Sequence, residues 1–138
     1  MERLDLSSLR RALETLDEGL AEYARDSGNA FVRDACIQRF EYCYALATGT
    51  IDRQLAMTGA DPGAVQKMAF QDRIRAAYAA GILRNSWDRW RQYRDDRAAT
   101  AQGYDEDRAR AIAGNLPAFA AEARFLLDQL AQFHAPKA

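Results

Sequence analysis

The chain has 138 residues, of which 49% are hydrophobic and 28% are charged, and its formal net charge is −1 at pH 7. This length predicts one domain over residues 1–138, which buries roughly two thirds of the surface that the unfolded chain exposes. The apolar fraction excludes a disordered chain, and no run of about 18 apolar residues is present for a membrane span. A net charge near zero argues against a protein that coats nucleic acid by bulk charge alone.

The N-terminus and the two cysteines both favour a cytoplasmic protein. Residues 1–16 mix acidic with basic side chains and contain no uninterrupted apolar stretch, so they do not resemble a secretory signal. Cys36 and Cys43 are seven positions apart in a helical stretch, about 10.5 Å along the axis, which is too far for a disulfide within one helix. We expect reduced thiols in the core, which fits the same compartment.

Apolar residues at spacings of three and four predict the first two helices. The first covers residues 6–23, with Ser7 or Ser8 near its start, and residues 25–29 interrupt the pattern. The second ends before Gly59. The two stripes consist of Leu6, Leu9, Leu13, Leu16, Leu20 and Tyr23, and of Ile37, Phe40, Tyr44, Ala47, Ile51 and Leu55.

Residues 62 to about 80 give a weaker third segment. Asp61 precedes Pro62, and proline is favourable in the first turn of a helix. Gly81 is a suitable C-terminal cap. Polar residues interrupt the apolar face between these positions, so we expect a short or irregular helix.

The last third of the chain predicts two more helices. Asn85 or Ser86 caps the fourth helix, which ends near Gly103. Residues 105–107 place negative charge at the start of the fifth, where the helix dipole favours it, and Pro117 should kink that helix. The stripes consist of Trp87, Trp90, Arg94 and Arg97 in the fourth helix, and of Ile112, Leu116, Phe119, Ala123, Leu126, Leu130 and Phe133 in the fifth.

These elements predict an all-α fold, because no segment alternates apolar and polar residues over the length of a strand. The arrangement that fits is an up-and-down four-helix bundle with an additional short helix. The sequence carries no His/Cys/carboxylate set at metal-ligand spacing, no Glu-x-x-His pair and no glycine-rich phosphate loop. We therefore expect neither a metal nor a cofactor.

Two stretches carry a more specific pattern. Residues 33–42 read RDACIQRFEY, and residues 93–106 read YRDDRAATAQGYDE. Together they resemble the nucleotidyltransferase substrate-binding family, small helical proteins of the HEPN superfamily that are encoded beside a minimal nucleotidyltransferase. That family reads roughly R-D-x-x-I-Q-R-F-E-[FY]-x-x-E-L-x-W-K in helix two and R-N-x-x-x-H-x-Y-[DN]-E before the last helix.

The second stretch matches the family only in part. Arg97 falls on the motif arginine and Tyr104 on the tyrosine, and the acidic residues 105–106 follow as in the family. Gln102 occupies the histidine position and Ala98 the asparagine position. In helix two, the family's glutamate, tryptophan and lysine positions hold Ala45, Thr48 and Gly49.

The resemblance implies a bundle that dimerises, in which two arginine–x4–6–histidine motifs meet in a cleft and cut RNA. In several such pairs the helical protein is a toxin. Its nucleotidyltransferase partner is the antitoxin, which transfers AMP to the tyrosine after the histidine. By this resemblance, Arg97 and Gln102 are the catalytic positions and Tyr104 is the AMP acceptor.

Gln102 changes the chemistry that such a motif can perform. Histidine suits proton transfer because its pKa lies near neutrality, whereas arginine is permanently charged and binds phosphate through paired N–H groups. Glutamine does not titrate, and loss of one general acid or base typically lowers a rate by about 10²–10⁴. His134, the only histidine, lies near the C-terminus and is not expected to reach the motif.

The residues in and just after the fourth helix also have structural interpretations, which the sequence leaves open. Arg97 pairs with Asp95, Asp96 or a neighbouring helix, and Tyr104 packs at a helix boundary. The two tryptophans anchor the core or a dimer interface rather than stack on bases. The charges of Arg89, Arg91, Arg94, Asp88, Asp95 and Asp96 predict a solvated mixed-charge face.

In helix two, Arg33–Asp34 and Arg39–Glu41 predict salt bridges within the bundle.

Three hypotheses about function follow, and they leave open whether the chain is an enzyme. The first is a homodimeric bundle that binds a minimal nucleotidyltransferase in a toxin–antitoxin-like module, with little or no ribonuclease activity. The second is a metal-independent endoribonuclease that acts on RNA through Arg97 and Gln102, or through another acid. The third is a structural dimerisation bundle without partner chemistry.

Overall fold

The computed structural model describes residues 4–59, 61–102 and 105–134, and within these ranges it contains six helices and no strand. The all-α prediction is confirmed. The helices are α1 (Ser7–Arg25), α2 (Ala30–Thr58), α3 (Pro62–Lys67), α4 (Phe70–Ala79), α5 (Trp87–Thr100) and α6 (Glu106–Phe133). In the described ranges, none of these helices has the length and apolarity that a membrane span requires.

The third segment is two helices rather than one irregular helix. Met68 and Ala69 have ψ angles of 142° and 150°, so the backbone is extended between α3 and α4. The predicted start is confirmed, since the Asp61 side chain accepts a hydrogen bond from the backbone N–H of Gly63. Gly81 has φ +80°, a left-handed conformation that favours glycine, and it follows α4 as predicted.

The prediction that Ser7 or Ser8 lies near the start of α1 is confirmed, whereas the predicted cap of α5 is confirmed only in position. Ser7 is the first residue of α1, and Asp5 accepts hydrogen bonds from its backbone N–H (2.9 Å) and its hydroxyl (2.6 Å). Ser86 precedes α5 but forms no side-chain cap. The Asn85 side chain donates instead to the Tyr93 hydroxyl, at 2.7 Å.

The contacts between α1, α2 and α6 define an up-and-down arrangement. α1 and α2 are joined by a short turn and run antiparallel, and Arg39 of α2 donates to the Thr15 carbonyl of α1 at 2.7 Å. α2 and α6 run in the same direction. Arg33 and Glu106 approach within 3.6 Å near their N-terminal ends, and Gln54 and His134 within 2.7 Å near their C-terminal ends.

α5 runs antiparallel to α6 and packs on it through aromatic rings. The centroid of the Phe119 ring lies 5.0 Å from that of Phe40 and 5.4 Å from that of Tyr93, and the Trp90 ring lies 5.3 Å from Tyr93, all nearly perpendicular. Edge-to-face contacts of this kind add stability beyond area burial. Burial raises the pKa of the neighbouring Tyr44 hydroxyl to about 12.

Most of the predicted stripe residues lie in this core, with instructive exceptions. Trp90 is fully buried, whereas Trp87 is half-buried with the Arg94 guanidinium 5.1 Å from its ring centroid. Phe133 is 62% exposed, so its predicted place in the core is wrong. α6 continues through Pro117, and the predicted kink stays a prediction.

The two cysteines are free and buried, as expected for core thiols. Burial raises the pKa of the Cys43 thiol to about 12, so it stays protonated at neutral pH.

A buried carboxylate of α6 holds the start of α5. Glu122 is 1% exposed, and its Oε1 accepts a hydrogen bond from the Arg84 backbone N–H at 3.0 Å. Its Oε2 accepts from the Asn85 backbone N–H and from Trp90 Nε1, both at 2.8 Å. The α4–α5 connection and the first turn of α5 are therefore fixed to the middle of α6.

The substitution Glu122→Gln should lower the free energy of unfolding by about 2 kcal/mol, because an amide cannot accept all three buried N–H groups. Urea unfolding followed by circular dichroism measures this. Glu18→Gln, on the exposed surface of α1, is the matched control and should change stability by less than about 0.5 kcal/mol. Equal effects of the two substitutions would contradict this role for Glu122.

Candidate functional site

The two motif segments meet at one end of the bundle, where α5 ends and α2 and α6 begin. Asp105 caps α6 by accepting hydrogen bonds from the backbone N–H groups of Asp107 (3.0 Å) and Arg108 (3.3 Å). Arg33 of α2 is only 3% exposed, and its Nη1 lies 3.6 Å from Glu106 at the start of α6. The fold therefore places residues that are far apart in sequence around one region.

Arg97 lies in the last turn of α5 and contacts its own helix. Its Nη1 donates to Thr100 Oγ1 at 3.2 Å, and that hydroxyl donates to the Arg97 carbonyl at 2.7 Å. The predicted pairing of Arg97 with Asp95 or Asp96 is wrong within the described residues. The Arg97 guanidinium is half-buried beside the end of α5.

Gln102 is linked to α6 by a cation that sequence analysis did not single out. Its Oε1 accepts a hydrogen bond from Arg108 Nη1 at 2.9 Å. The residue at the family's histidine position therefore uses its acceptor atom on an arginine. The pair places positive charge at this position and no group that exchanges a proton near neutral pH.

Asp96 departs from the predicted solvated face. It is 7% exposed and accepts hydrogen bonds from Gln92 Nε2 at 3.0 Å and from Asn115 Nδ2 at 3.1 Å. Burial raises the pKa of its carboxyl group above the ordinary value. The neighbouring pair of Arg94 and Asp95 (3.3 Å) is exposed on both sides, as the prediction states.

The salt bridges predicted for α2 have mixed outcomes. Arg33 Nε lies 3.2 Å from Asp34 Oδ1, which confirms that pair. Arg39 donates to the Thr15 carbonyl of α1 instead of pairing with Glu41, so the second prediction is wrong. Arg39 therefore ties α2 to α1 rather than bridging within its own helix.

A cavity of about 160 Å³ opens beside the motif, between α2, α5 and α6. Its lining includes the apolar residues Ile37, Ala99 and Ile112 and the charged residues Asp34 and Arg108. Thr100, Gln102, Asp105 and Ala109 complete the lining. The cavity is therefore lined by Gln102 and by Thr100, the residue that hydrogen-bonds Arg97.

Two residues considered in the sequence analysis, Tyr104 and His134, do not belong to the site as the structure describes it. Tyr104, the predicted AMP acceptor, lies outside the described residues, as does Gly103, and the role of Tyr104 stays a prediction. His134 Nε2 lies 2.7 Å from Gln54 Oε1 near the C-terminal ends of α2 and α6, so it is remote from the motif, as expected. Across the described ranges, no cluster of three His, Cys, Asp or Glu side chains is suited to a metal ion.

A family model described as "Nucleotidyltransferase substrate binding protein like" matches residues 4–132. The chain belongs to this family. The match includes both motif segments, all of α1 to α5, and α6 except for its last residue.

Relatives of this family support the assignment. A Haemophilus influenzae protein named probable ribonuclease HepT is 29% identical over 139 residues, which covers 95% of this chain and 94% of that protein. A solved structure from Haemophilus influenzae is described as revealing the fold of a substrate binding domain of a nucleotidyltransferase. It matches with a TM-score of 0.84 and 26% identity, and covers 91% of this chain and 98% of that one. The family resemblance stated from the sequence is confirmed.

The polar residues of α6 that bind α5 beside the site, Asn115 and Glu122, were not predicted from the sequence. Asn115 and Glu122 lie beside the apolar stripe positions Ile112, Leu116 and Phe119, within the face that is buried. A polar residue on the core-facing side of an amphipathic helix needs a buried hydrogen-bond partner. The position of these two residues beside the apolar stripe could therefore have indicated buried hydrogen bonds. Their partners could not be deduced without the fold.

The substitution Asp96→Asn should change how stability depends on pH. The fold raises this pKa above its ordinary value of 3.8, so the unfolded chain releases the proton at a lower pH than the folded chain. The contribution of this group to the free energy of unfolding therefore falls as pH rises from its pKa in the unfolded chain to its pKa in the folded chain. Relative to Asp96→Asn, the wild-type protein should lose stability between about pH 4 and the raised pKa.

Urea unfolding at a series of pH values measures this difference. Asp88→Asn, at an exposed position of α5, is the control, and its free energy of unfolding should depend on pH as that of the wild-type protein does. If the free energy of unfolding of the Asp96→Asn protein depended on pH as that of the wild-type protein does, this would contradict a buried, titrating Asp96.

Proposed function

We propose that this chain is the homodimeric helical partner of a minimal nucleotidyltransferase in a toxin–antitoxin-like module, with Tyr104 as the acceptor of AMP. The observation that carries the proposal is the family match over residues 4–132, together with a matching solved structure described as a substrate binding domain of a nucleotidyltransferase. Such a domain has its function through a nucleotidyltransferase. The convergence of the two motif segments at one end of the bundle gives that partner a defined place to bind.

The chemistry at Gln102 supports binding rather than cleavage. Its carboxamide is held by Arg108, and neither side chain transfers a proton at neutral pH. The half-buried Arg97 and the exposed Arg108 supply positive charge at the same end of the molecule. Positive charge without a proton carrier is suited to binding the phosphates of a partner's nucleotide.

The exposed apolar side chains of α2 support the homodimer. Phe31 is 89% exposed and Tyr42 is 61% exposed, and their spacing of eleven residues places them on one face of the helix. A second copy of the chain packed on this face would remove both aromatic rings from water.

Co-purification with the nucleotidyltransferase encoded by the adjacent gene tests this function. We expect a complex, and after incubation with ATP we expect mass spectrometry to find one AMP on the peptide that contains Tyr104. Tyr104→Phe should abolish the adduct, whereas Tyr78→Phe, at an exposed tyrosine of α4, should leave it unchanged. Absence of both complex and adduct would contradict the proposal.

A second candidate function, RNA cleavage, is favoured by the relative named probable ribonuclease HepT. In metal-independent cleavage the ribose 2′-oxygen attacks phosphorus and the bond to the 5′-oxygen breaks. A base accepts the proton of the 2′-hydroxyl, and an acid donates one to the 5′-oxygen. Arg97 provides a cation for the phosphate, but Gln102 cannot transfer either proton.

The substitution Gln102→His should therefore restore cleavage. Relative to the wild-type protein, we expect RNA hydrolysis to rise by about 10²-fold or more, the contribution typical of one general acid or base. Gln102→Ala should not rise, and the double variant Arg97→Ala/Gln102→His should be inactive. Wild-type cleavage that equals that of Gln102→His would contradict the assignment of a site without a proton carrier.

A further inference from the structure

One face of α5 is largely exposed and leads to the motif end of the bundle. Trp87, Arg91 and Arg94 follow one another at spacings of four and three residues, so they lie on the same face of the helix. Both arginines are exposed and Trp87 is half-buried. We call these three residues the α5 stripe. Arg97 lies about one turn beyond Arg94, so the stripe ends next to the region where the motif segments meet.

The aromatic ring of the α5 stripe is already held in place. The ring centroid of Trp87 lies 5.1 Å from the Arg94 guanidinium carbon and 5.9 Å from the ring centroid of Phe70, with 70° between the planes of the two rings. Cation–π and edge-to-face contacts of this kind are favourable. Binding to an ordered side chain costs less conformational entropy than binding to a mobile one, so Trp87 is suited to anchor a partner.

The α5 stripe lies in a part of the chain where basic residues prevail. Residues 67–97 contain eight basic and four acidic residues, whereas the whole chain contains 19 and 20. One of the four acidic residues, Asp96, is buried and accepts its hydrogen bonds within the fold. Arg91 forms no ion pair with another described residue, and Arg94 pairs with the exposed Asp95 at 3.3 Å. The stripe therefore presents positive charge to solvent, which favours an acidic partner.

The composition of this surface fits a protein better than RNA. Tryptophan and arginine are enriched among the residues that dominate binding at protein interfaces. An RNA base stacks on the open face of an aromatic ring, and the Arg94 guanidinium covers one face of Trp87. The exposed carboxylates of Asp88 and Asp95 lie on the same helix and repel phosphate groups, whereas a protein can offer them basic side chains.

The length of α5 places the stripe within reach of a protein that acts at the motif end. At about 1.5 Å per residue, Trp87 lies about 15 Å from Arg97 along the helix axis. A protein interface of standard size buries about 800 Å² on each partner, which corresponds to a patch roughly 30 Å across. A protein that binds over the end of α5 from its exposed side therefore contacts the stripe as well.

We propose that the α5 stripe is the docking surface for an acidic surface of the nucleotidyltransferase partner. Carboxylates of the partner pair with Arg91 and Arg94, and an apolar side chain of the partner packs on the exposed part of Trp87. This inference rests on the proposed function, which supplies the partner. It adds the place at which the partner docks and the charge by which it is recognised.

Isothermal titration calorimetry of this chain with the separately purified nucleotidyltransferase of the adjacent gene tests the inference. The double substitution Arg91→Glu/Arg94→Glu reverses the charge of the stripe. We expect it to weaken the complex by about tenfold or more, because like charges then face each other across the interface. Added salt should weaken the wild-type complex, and it should affect the complex of the double variant less.

Two further double variants serve as controls. Arg10→Glu/Arg11→Glu changes the net charge equally at exposed positions near the start of α1, at the other end of the bundle. Arg91→Lys/Arg94→Lys keeps the charge of the stripe. Each should change the affinity by less than about threefold, since neither reverses a charge at the interface. Circular dichroism establishes that every variant is folded.

The possible outcomes separate this inference from the proposed function. If the wild-type chain forms the complex and the folded Arg91→Glu/Arg94→Glu protein binds equally tightly, the docking surface is wrong and the proposed function stands. Equal weakening by the α1 control would also overturn the docking surface, because the effect would then come from net charge. Absence of any complex with the wild-type chain would contradict both proposals.

RNA is tested as the alternative occupant with a short oligouridylate. If the wild-type chain binds it, and Arg91→Glu/Arg94→Glu abolishes that binding while the nucleotidyltransferase complex is unchanged, the α5 stripe belongs to RNA and the inference is overturned.

Discussion

The arrangement of the site depends on the buried carboxylate of Glu122. Without its three hydrogen bonds, two backbone N–H groups of the α4–α5 connection and the Trp90 indole would be buried without acceptors. These bonds fix the beginning of α5 to α6, and Asp96 and Asn115 join the same two helices further along. The position of Arg97 at the end of α5 follows from these two attachments.

At that end, the proposed function depends on the residue at position 102. The family motif carries histidine where this chain has Gln102. In the structure, the side-chain oxygen of that glutamine accepts a hydrogen bond from Arg108. A group that exchanges protons is thereby replaced by a fixed, positively charged pair. A relative that is 29% identical is named a probable ribonuclease, and in the function proposed for this chain the same end of the bundle binds a protein partner instead.

The sequence predicted the helices and the family because apolar periodicity and the two motifs are local signals. It missed the division between α3 and α4, since extended backbone at Met68 and Ala69 leaves no mark in a weak apolar pattern. It placed Phe133 in the core and Asp96 in solvent, because spacing along one helix does not show which face its neighbours cover. Asp96 pairs with Asn115 of α6, Gln102 with Arg108 of α6, and Glu122 with groups before and within α5. These contacts join different elements, so they could be seen only in the fold.

Hydrogen–deuterium exchange of this chain, alone and with the nucleotidyltransferase, tests most directly whether the motif end of the bundle is the functional end. The account predicts slower exchange on complex formation at the end of α5, the start of α6 and the first turns of α2. Residues 4–9 and the last turns of α2, at the opposite end, should exchange at unchanged rates. Protection confined to that opposite end would contradict the account.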